Sequence, residues 1–414
     1  MKKIRKIILF VALAVVLTLT SCYLKPSNSG NNNQNNQTNV INEITNKTIE
    51  YKNISVEDLQ TAVTETAENL KNAVIGISLK ATHTSQIGGS LITSEDTESI
   101  GSGVIYKREE VLNSENKLIG YNYYVVTNRH VITGSSSSYQ YKAYAYLGEE
   151  DVEIEAEIIG SDPKVDIALV KFQHTKLIQP VEFADSDTVK KGQFAIAIGN
   201  PDGYEYYGSV TFGIVSGELR YVSEDLDSDG TNDFTATYIQ HDVTINPGNS
   251  GGGLFTIDGK LIGINTMKIV DDKIDNMGFA IPSNVVKSIL ENYLEVGKTP
   301  ERPRIGMTGI AVRNITNAVS AQNNLKEIPS ISEYSGIKPY GIYVVGITGN
   351  SSISNSPIKV HDIILEFDGI KLTNMNILSA NLNGLTKYFI GTEVEVTYYS
   401  RSQNKVLKTK ITLK

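Results

Sequence analysis

The chain of 414 residues has no tryptophan, one cysteine, 11 prolines and 5 histidines, and its 38 basic residues are outnumbered by 46 acidic ones. A lone cysteine cannot form an internal disulfide, so no disulfide framework holds the fold. So few prolines beside 34 glycines exclude a collagen-like or proline-rich chain. The formal charge of −8 excludes a broad nucleic-acid-binding surface. What is present points to packed β-structure: 40% hydrophobic residues, with 22 Tyr and 10 Phe. At roughly 150 residues per domain the length predicts two or three domains.

Lys2, Lys3, Arg5 and Lys6 precede an apolar run from Ile7 to Leu19, about the length of a signal-peptide core and short for a spanning helix. The run ends in Leu19-Thr20-Ser21-Cys22, which resembles the bacterial lipoprotein lipobox. That resemblance implies cleavage after residue 21, lipidation of Cys22, and a protein held extracytoplasmically on the bacterial cell membrane. Removing residues 1–21 takes away four cations and no anions, so −8 becomes −12. An acidic protein beside an anionic membrane needs a tether, not surface adsorption.

Residues 22–52 read as a polar, flexible linker; from Ser27 to Asn39 almost every residue is Asn, Gln, Ser, Thr or Gly. Near Ser55 a capping pair with Asp58 predicts a helix carrying Leu59, Ala62, Val63, Ala67 and Leu70 on one face, as core or as a subunit contact. Short β-type runs then follow: Val74 to Leu79, Gly103 to Tyr106, Tyr123 to Thr127, Tyr141 to Leu147 and Val152 to Ile159, with more continuing to Phe279. Turn residues separate them, as in an all-β sandwich or barrel.

Three polar segments lie at strand edges. Thr127-Asn128-Arg129-His130 ends one run with a histidine, Val165-Asp166-Ile167 opens another with an aspartate, and Asn246-Pro247-Gly248-Asn249-Ser250-Gly251-Gly252 exposes a serine in a glycine-rich turn. Acyl transfer needs these three residue types. A serine hydroxyl is a weak nucleophile without a base, and the base needs an acid to fix its tautomer. Backbone N–H groups at Gly248, Asn249 and Ser250 are the candidate oxyanion donors.

The order His130, Asp166, Ser250, at intervals of 36 and 84 residues, resembles the chymotrypsin-like arrangement. Gly101-Ser102-Gly103-Val104, Ala197-Ile198-Gly199-Asn200-Pro201, Gly213-Ile214-Val215-Ser216, Ile239-Gln240, Gly263-Ile264-Asn265-Thr266 and Gly278-Phe279-Ala280-Ile281-Pro282 resemble, in order, segments of the HtrA-type (high-temperature-requirement) serine proteases. The resemblance implies an all-β chymotrypsin-like double β-barrel, the first barrel giving base and acid, the second the nucleophile. Arg129, His241 and Gly253 depart from the family pattern without removing a catalytic group. His241 reads as a strand residue with no catalytic part, although its imidazole lies near Ser250 in sequence.

Gly248-x-Ser250-x-Gly252 also fits the nucleophile elbow of α/β-hydrolases. That fold needs a helix after the serine, whereas Leu254 to Lys260 reads as a strand and an Asp-Gly turn. It also needs a histidine after the serine, and only His361 lies there, in a separate segment. Thr244, Ile245, Asn265 and Thr266 are the candidate P1-pocket residues; the first two are uncharged, so a small or medium aliphatic P1 side chain is expected in place of a basic one. Asp225, Asp227, Asp229 and Asp233 approach a calcium loop, but Ala236 stands where its bidentate ligand belongs, which favours an acidic solvent loop. No cofactor or metal is required.

A helix from Pro282 to Val296 and a linker from Gly297 to Pro303 lead into a last segment. Arg304-Ile305-Gly306-Met307 resembles the carboxylate-binding loop of a PDZ module, and Gly341 to Val345, Asp362 to Leu365, Asp368-Gly369 and Gly391-Thr392 fall in matching order. His361 replaces a glycine common in that module. The expected domains are a signal peptide 1–21, a linker 22–52, a protease domain 53–299 and a small α+β PDZ domain 303–414. By resemblance, the partners are unfolded polypeptides, C-terminal peptides on the PDZ domain, the membrane through the lipid, and two further copies in a homotrimer, with no nucleic acid. The rival expectation is a catalytically silent binding lipoprotein on the same fold.

Overall fold

The computed structural model describes residues 55–87, 90–148, 152–201, 203, 205–224, 234–266, 277–298, 301–314 and 340–414. The expected signal peptide, Cys22, the polar linker and the acidic loop at 225–233 lie outside them. The described residues belong to one compact unit, Ile54–Lys414.

Helix α1 (Val56–Leu70) starts as its capping box requires: Ser55 Oγ accepts the Asp58 N–H at 3.0 Å, and Asp58 Oδ2 accepts the Ser55 N–H at 3.3 Å. Its inner side meets the barrels, where Leu70 joins the core and Thr66 Oγ1 donates to the Ile257 carbonyl at 2.7 Å.

Six antiparallel strands close the first barrel: β1 (Val74–Ile87), β2 (Ser90–Leu112), β3 (Leu118–Asn128), β4 (Gln140–Tyr146), β5 (Glu153–Asp162) and β6 (Ile167–His174), in the order β1-β2-β3-β6-β5-β4. Six more close the second: β7 (Phe194–Gly199), β8 (Ser209–Glu224), β9 (Phe234–His241), β10 (Gly253–Phe255), β11 (Leu261–Thr266) and β12 (Gly278–Pro282), in the order β10-β11-β12-β9-β8-β7. Closure leaves neither barrel an unpaired edge. The alternation that marks β-strands is visible in β3, where Tyr121, Tyr123 and Val125 fill the first barrel. Ala195, Ala197, Val215 and Ile239 fill the second. Between the barrels lies one shared core, in which Val104, Val126 and Leu169 meet Ile196, Phe255 and Ile264. Each such side chain contributes about 1.5–3 kcal/mol when fully buried, so the cleft between the barrels is a rigid seam.

Helix α2 (Ser283–Val296) closes that seam with Val286, Ile289 and Leu290, and ends at Gly297 in a left-handed turn, φ 71°. A third, six-stranded sheet follows: β13 (Met307–Ala311), β14 (Ile342–Ile347), β15 (Ile363–Phe367), β16 (Ile370–Lys371), β17 (Glu393–Ser400) and β18 (Lys405–Thr412). Helix α3 (Met375–Gly384) packs on it through Leu378 and Leu382. The sheet order β13-β14-β15-β17-β18, with one helix packed on it among the described residues, is the small α+β arrangement expected after the protease. His361 sits at φ 79°, a conformation that suits the glycine it replaces.

The third sheet is tied to the barrels by polar contacts. Arg302 Nη2 donates to Asp162 Oδ2 at 2.6 Å and its Nε donates to the Asn383 carbonyl at 3.0 Å. Asn383 Nδ2 donates to Thr235 at 2.7 Å, and Ser288 Oγ to Leu385 at 2.6 Å.

Candidate active site

His130 and Asp166 come from neighbouring strand ends of the first barrel. Asn128 closes β3 opposite Ile167, the first residue of β6, and His130 lies in the short 3-10 helix Arg129–Ile132 that follows. Asp166 immediately precedes β6 in the left-handed region, φ 55°. That costly conformation for a non-glycine residue is held by its contacts. Its carbonyl accepts the Arg129 N–H at 3.1 Å and Asn128 Nδ2 at 3.0 Å. Its Oδ1 accepts the His130 N–H at 3.0 Å, and Oδ2 lies 2.7 Å from His130 Nδ1. A third contact to the carboxylate comes from Thr266 Oγ1, 3.5 Å from Oδ2. The carboxylate is nearly buried, with 4% of the side chain exposed against 22% for His130. An ionised carboxylate at Nδ1 fixes the proton there and leaves Nε2 as the basic nitrogen.

Ser250 lies on the second barrel's turn, and its carbonyl reaches into the first barrel. The Ser102 N–H donates to the Ser250 carbonyl at 2.8 Å, and Ser102 Oγ donates to the Gly248 carbonyl at 2.6 Å. Asn246 to Asn249 form a turn closed by the Asn249 N–H on the Asn246 carbonyl at 2.9 Å, with Gly248 at φ 95°. Proline second and a positive-φ glycine third define a type II turn. The Asn249 N–H is thus used in shaping the turn, while the Gly248 N–H has no acceptor among the described residues.

Behind the serine, β11 clamps the turn. The Gly251 N–H donates to the Asn265 carbonyl at 2.9 Å, the Asn265 N–H to the Gly252 carbonyl at 2.8 Å, and Asn265 Nδ2 to the Gly253 carbonyl at 3.0 Å. Gly251 (φ 84°) admits no side chain: a Cβ would stand 2.1 Å from the Ser102 carbonyl oxygen. The four expected P1-pocket residues therefore divide. Thr244 is exposed and Ile245 half-buried, whereas Asn265 and Thr266 are buried and support the turn and the triad carboxylate.

His241 is buried at the end of β9, paired with Gly278. Its ring fills the space a side chain at 278 would take, since a Cβ there would stand 2.2 Å from Cε1. Burial pushes its pKa down to about 4, against the pull of the Val243 and Phe279 carbonyls and the Asn265 amide. None of these reaches hydrogen-bonding geometry, and Nδ1, Nε2 and Asn265 Oδ1 are all without a partner. His241 is held as a neutral strand residue. The supports supplied by Ser102, Asn265 and Thr266 do not announce themselves in sequence, because short polar side chains in strands carry no catalytic signature.

Two closed barrels, a His–Asp pair on one and a turn serine on the other define a trypsin-like serine endopeptidase; the turn does not expose Ser250 as its glycine-rich sequence suggests, since the residue is only 5% accessible where the two barrels meet. A trypsin-like peptidase domain family matches residues 101–264. The chain is 35% identical over 353 residues to the serine protease Do-like HtrA of Bacillus subtilis (strain 168), an alignment spanning 84% of this chain and 72% of that one. It is 33% identical over 320 residues to the serine protease Do-like HtrA of Lactobacillus helveticus, covering 76% and 69%. Among solved structures it superposes on an HtrA-type protease AlgW with decapeptide at a TM-score of 0.56, 23% identity, covering 85% of this chain and 98% of that one. The chain belongs to the HtrA, or Do-like, serine protease family.

Proposed function

We propose that this endopeptidase works outside the cytoplasm, tethered through lipidated Cys22, and cuts unfolded or misfolded exported polypeptides. The observation that carries the catalytic reading is the Asp166–His130 pair on one barrel together with a nucleophile turn on the other that Ser102 of the first barrel braces. Ser250 attacks the scissile carbonyl while His130 takes its proton and returns it to the leaving amine. Asp166 holds the imidazole, and the Gly248 and Ser250 amides receive the oxyanion. Each such donor is worth about 3–4 kcal/mol of transition-state stabilisation. No step in this scheme uses a cofactor.

The P1 side chain is small or medium and aliphatic, and the segment 303–414 acts as a PDZ domain that takes C-terminal peptides. Phe194 and Phe212 pack at 5.3 Å yet are 40% and 43% exposed, an apolar pair suited to burial between copies in a trimer. The test compares the chain with Ser250→Ala on unfolded casein and with a fluorophosphonate label. Cleavage and labelling by the parent alone are expected, and equal cleavage by both ends the proposal. Cys22→Ala should release the protein from membranes, and retention there would remove the lipid anchor.

A further inference from the structure

His241 and Asn265 belong to the strands on either side of β12, opposite Gly278 and Ala280 respectively. Residues two apart on a strand share a face, so both side chains point the same way, into the second barrel with Val215 and Ala280. Gly278, which has no side chain, lets the imidazole lean over β12: a Cβ there would stand 2.2 Å from Cε1 and 2.6 Å from Nδ1. The ring thereby comes beside the Asn265 amide, which surrounds it together with the Val243 and Phe279 carbonyls. Yet both ring nitrogens and Asn265 Oδ1 are buried and unpaired. Burial keeps the imidazole neutral, with one N–H to give. A buried donor and a buried acceptor left apart each cost stability, so a slight shift that joins them is favourable.

Asn265 is the clamp of the nucleophile turn. Its Nδ2 holds the Gly253 carbonyl, and its main chain holds Gly251 and Gly252. Those residues have no slack: a Cβ on Gly252 would stand 2.4 Å from the Ile198 carbonyl oxygen, and Gly251 is as tight against Ser102. A rotation of the Asn265 amide therefore carries to Ser250, and small shifts of a nucleophile are felt in rate. We propose that His241 is a positioning residue: as Ser250 takes a substrate, the imidazole N–H closes onto Asn265 Oδ1 and locks the amide that holds the turn. This rests on reading Ser250 as the nucleophile and adds a residue that acts through Asn265.

The test compares the full chain with its His241→Leu and His241→Gln variants, since glutamine keeps an N–H donor at this position and leucine keeps none. In His241→Leu, kcat on labelled casein and the rate of fluorophosphonate labelling should each fall about tenfold, the worth of one hydrogen bond, with KM and urea stability at pH 7 unchanged. His241→Gln should restore both rates. In the parent carrying ¹⁵N-histidine, the imidazole N–H signal that both variants lack should move downfield when Ser250 is labelled, as its hydrogen bond forms. Parent rates in His241→Leu, an equal fall in both variants, or a signal that stays in place overturns the proposal and spares the nucleophile. No fluorophosphonate labelling of the parent overturns both.

Discussion

Around Asp166 each carboxylate oxygen has a donor, Oδ1 from the His130 N–H and Oδ2 from the His130 ring, and two more groups hold its carbonyl. Around His241, across the seam, four buried polar atoms have none: both ring nitrogens, Asn265 Oδ1 and Asn249 Oδ1. On the first barrel the described residues hold two such orphans, Asn128 Oδ1 beside Asp166 and the Tyr106 hydroxyl. The acid–base half of the site is over-determined by main-chain and side-chain donors together. The nucleophile half is shaped by main-chain bonds, and the side chains beneath it are under-satisfied, each unmet group costing about 1–3 kcal/mol. The first half should therefore fail sharply when one group changes, and the second should tolerate losing polarity.

The sharpest break is Asp166→Asn. Its amide turns a donor toward His130 Nδ1 and enforces the wrong tautomer, so kcat should fall about 10⁴-fold with the fold intact. A loss under tenfold in steady-state kinetics would refute the assignment. Next in size is the ion pair between Asp162, fully buried, and Arg302, 10% exposed. Arg302→Met leaves a buried carboxylate uncompensated and should cost about 3–5 kcal/mol in urea unfolding.

The acid response of His241 follows. Its pKa is about 4 in the fold against 6.5 for a free imidazole. Between those values the unfolded chain binds the extra proton, so stability falls as pH drops from 6.5 to 4, by about 3 kcal/mol in all. His241→Leu should remove that part of the acid sensitivity while changing stability little at pH 7. An unaltered pH profile would show that His241 is not buried neutral. The smallest effect is Gly278→Ala, whose Cβ meets the imidazole; overpacking should cost about 1–3 kcal/mol and be relieved in combination with His241→Ala.

Much of this architecture can be read from the chain because local chemistry and fold agree. Ser55 and Asp58 announce α1, Pro282 immediately precedes α2, and Asp368-Gly369 forms the tight β15–β16 turn, with φ values of 51° and 76°. The triad residues stand out because His, Asp and Ser at strand edges are unusual company. Strand lengths were less legible: β2 runs from Ser90 to Leu112, although only Gly103 to Tyr106 reads as a strand. Its outer parts carry Glu95, Asp96, Glu98, Glu109 and Glu110, whose polarity hides the β-period that pairing with β1 and β3 imposes. Asn265 and Thr266 read as pocket walls because sequence order does not tell which way a buried polar side chain faces.

Ser102 gives the molecule a form of coincidence detection. It belongs to a strand of the first barrel, yet its N–H and Oγ hold the Ser250 and Gly248 carbonyls of the second, and the Asn200 N–H donates back to the same Oγ at 2.9 Å. A chain with one barrel closed has half a triad and an unbraced turn. Cutting power therefore requires both barrels closed and docked, and a half-folded chain carries no complete blade to turn on its own exposed strands.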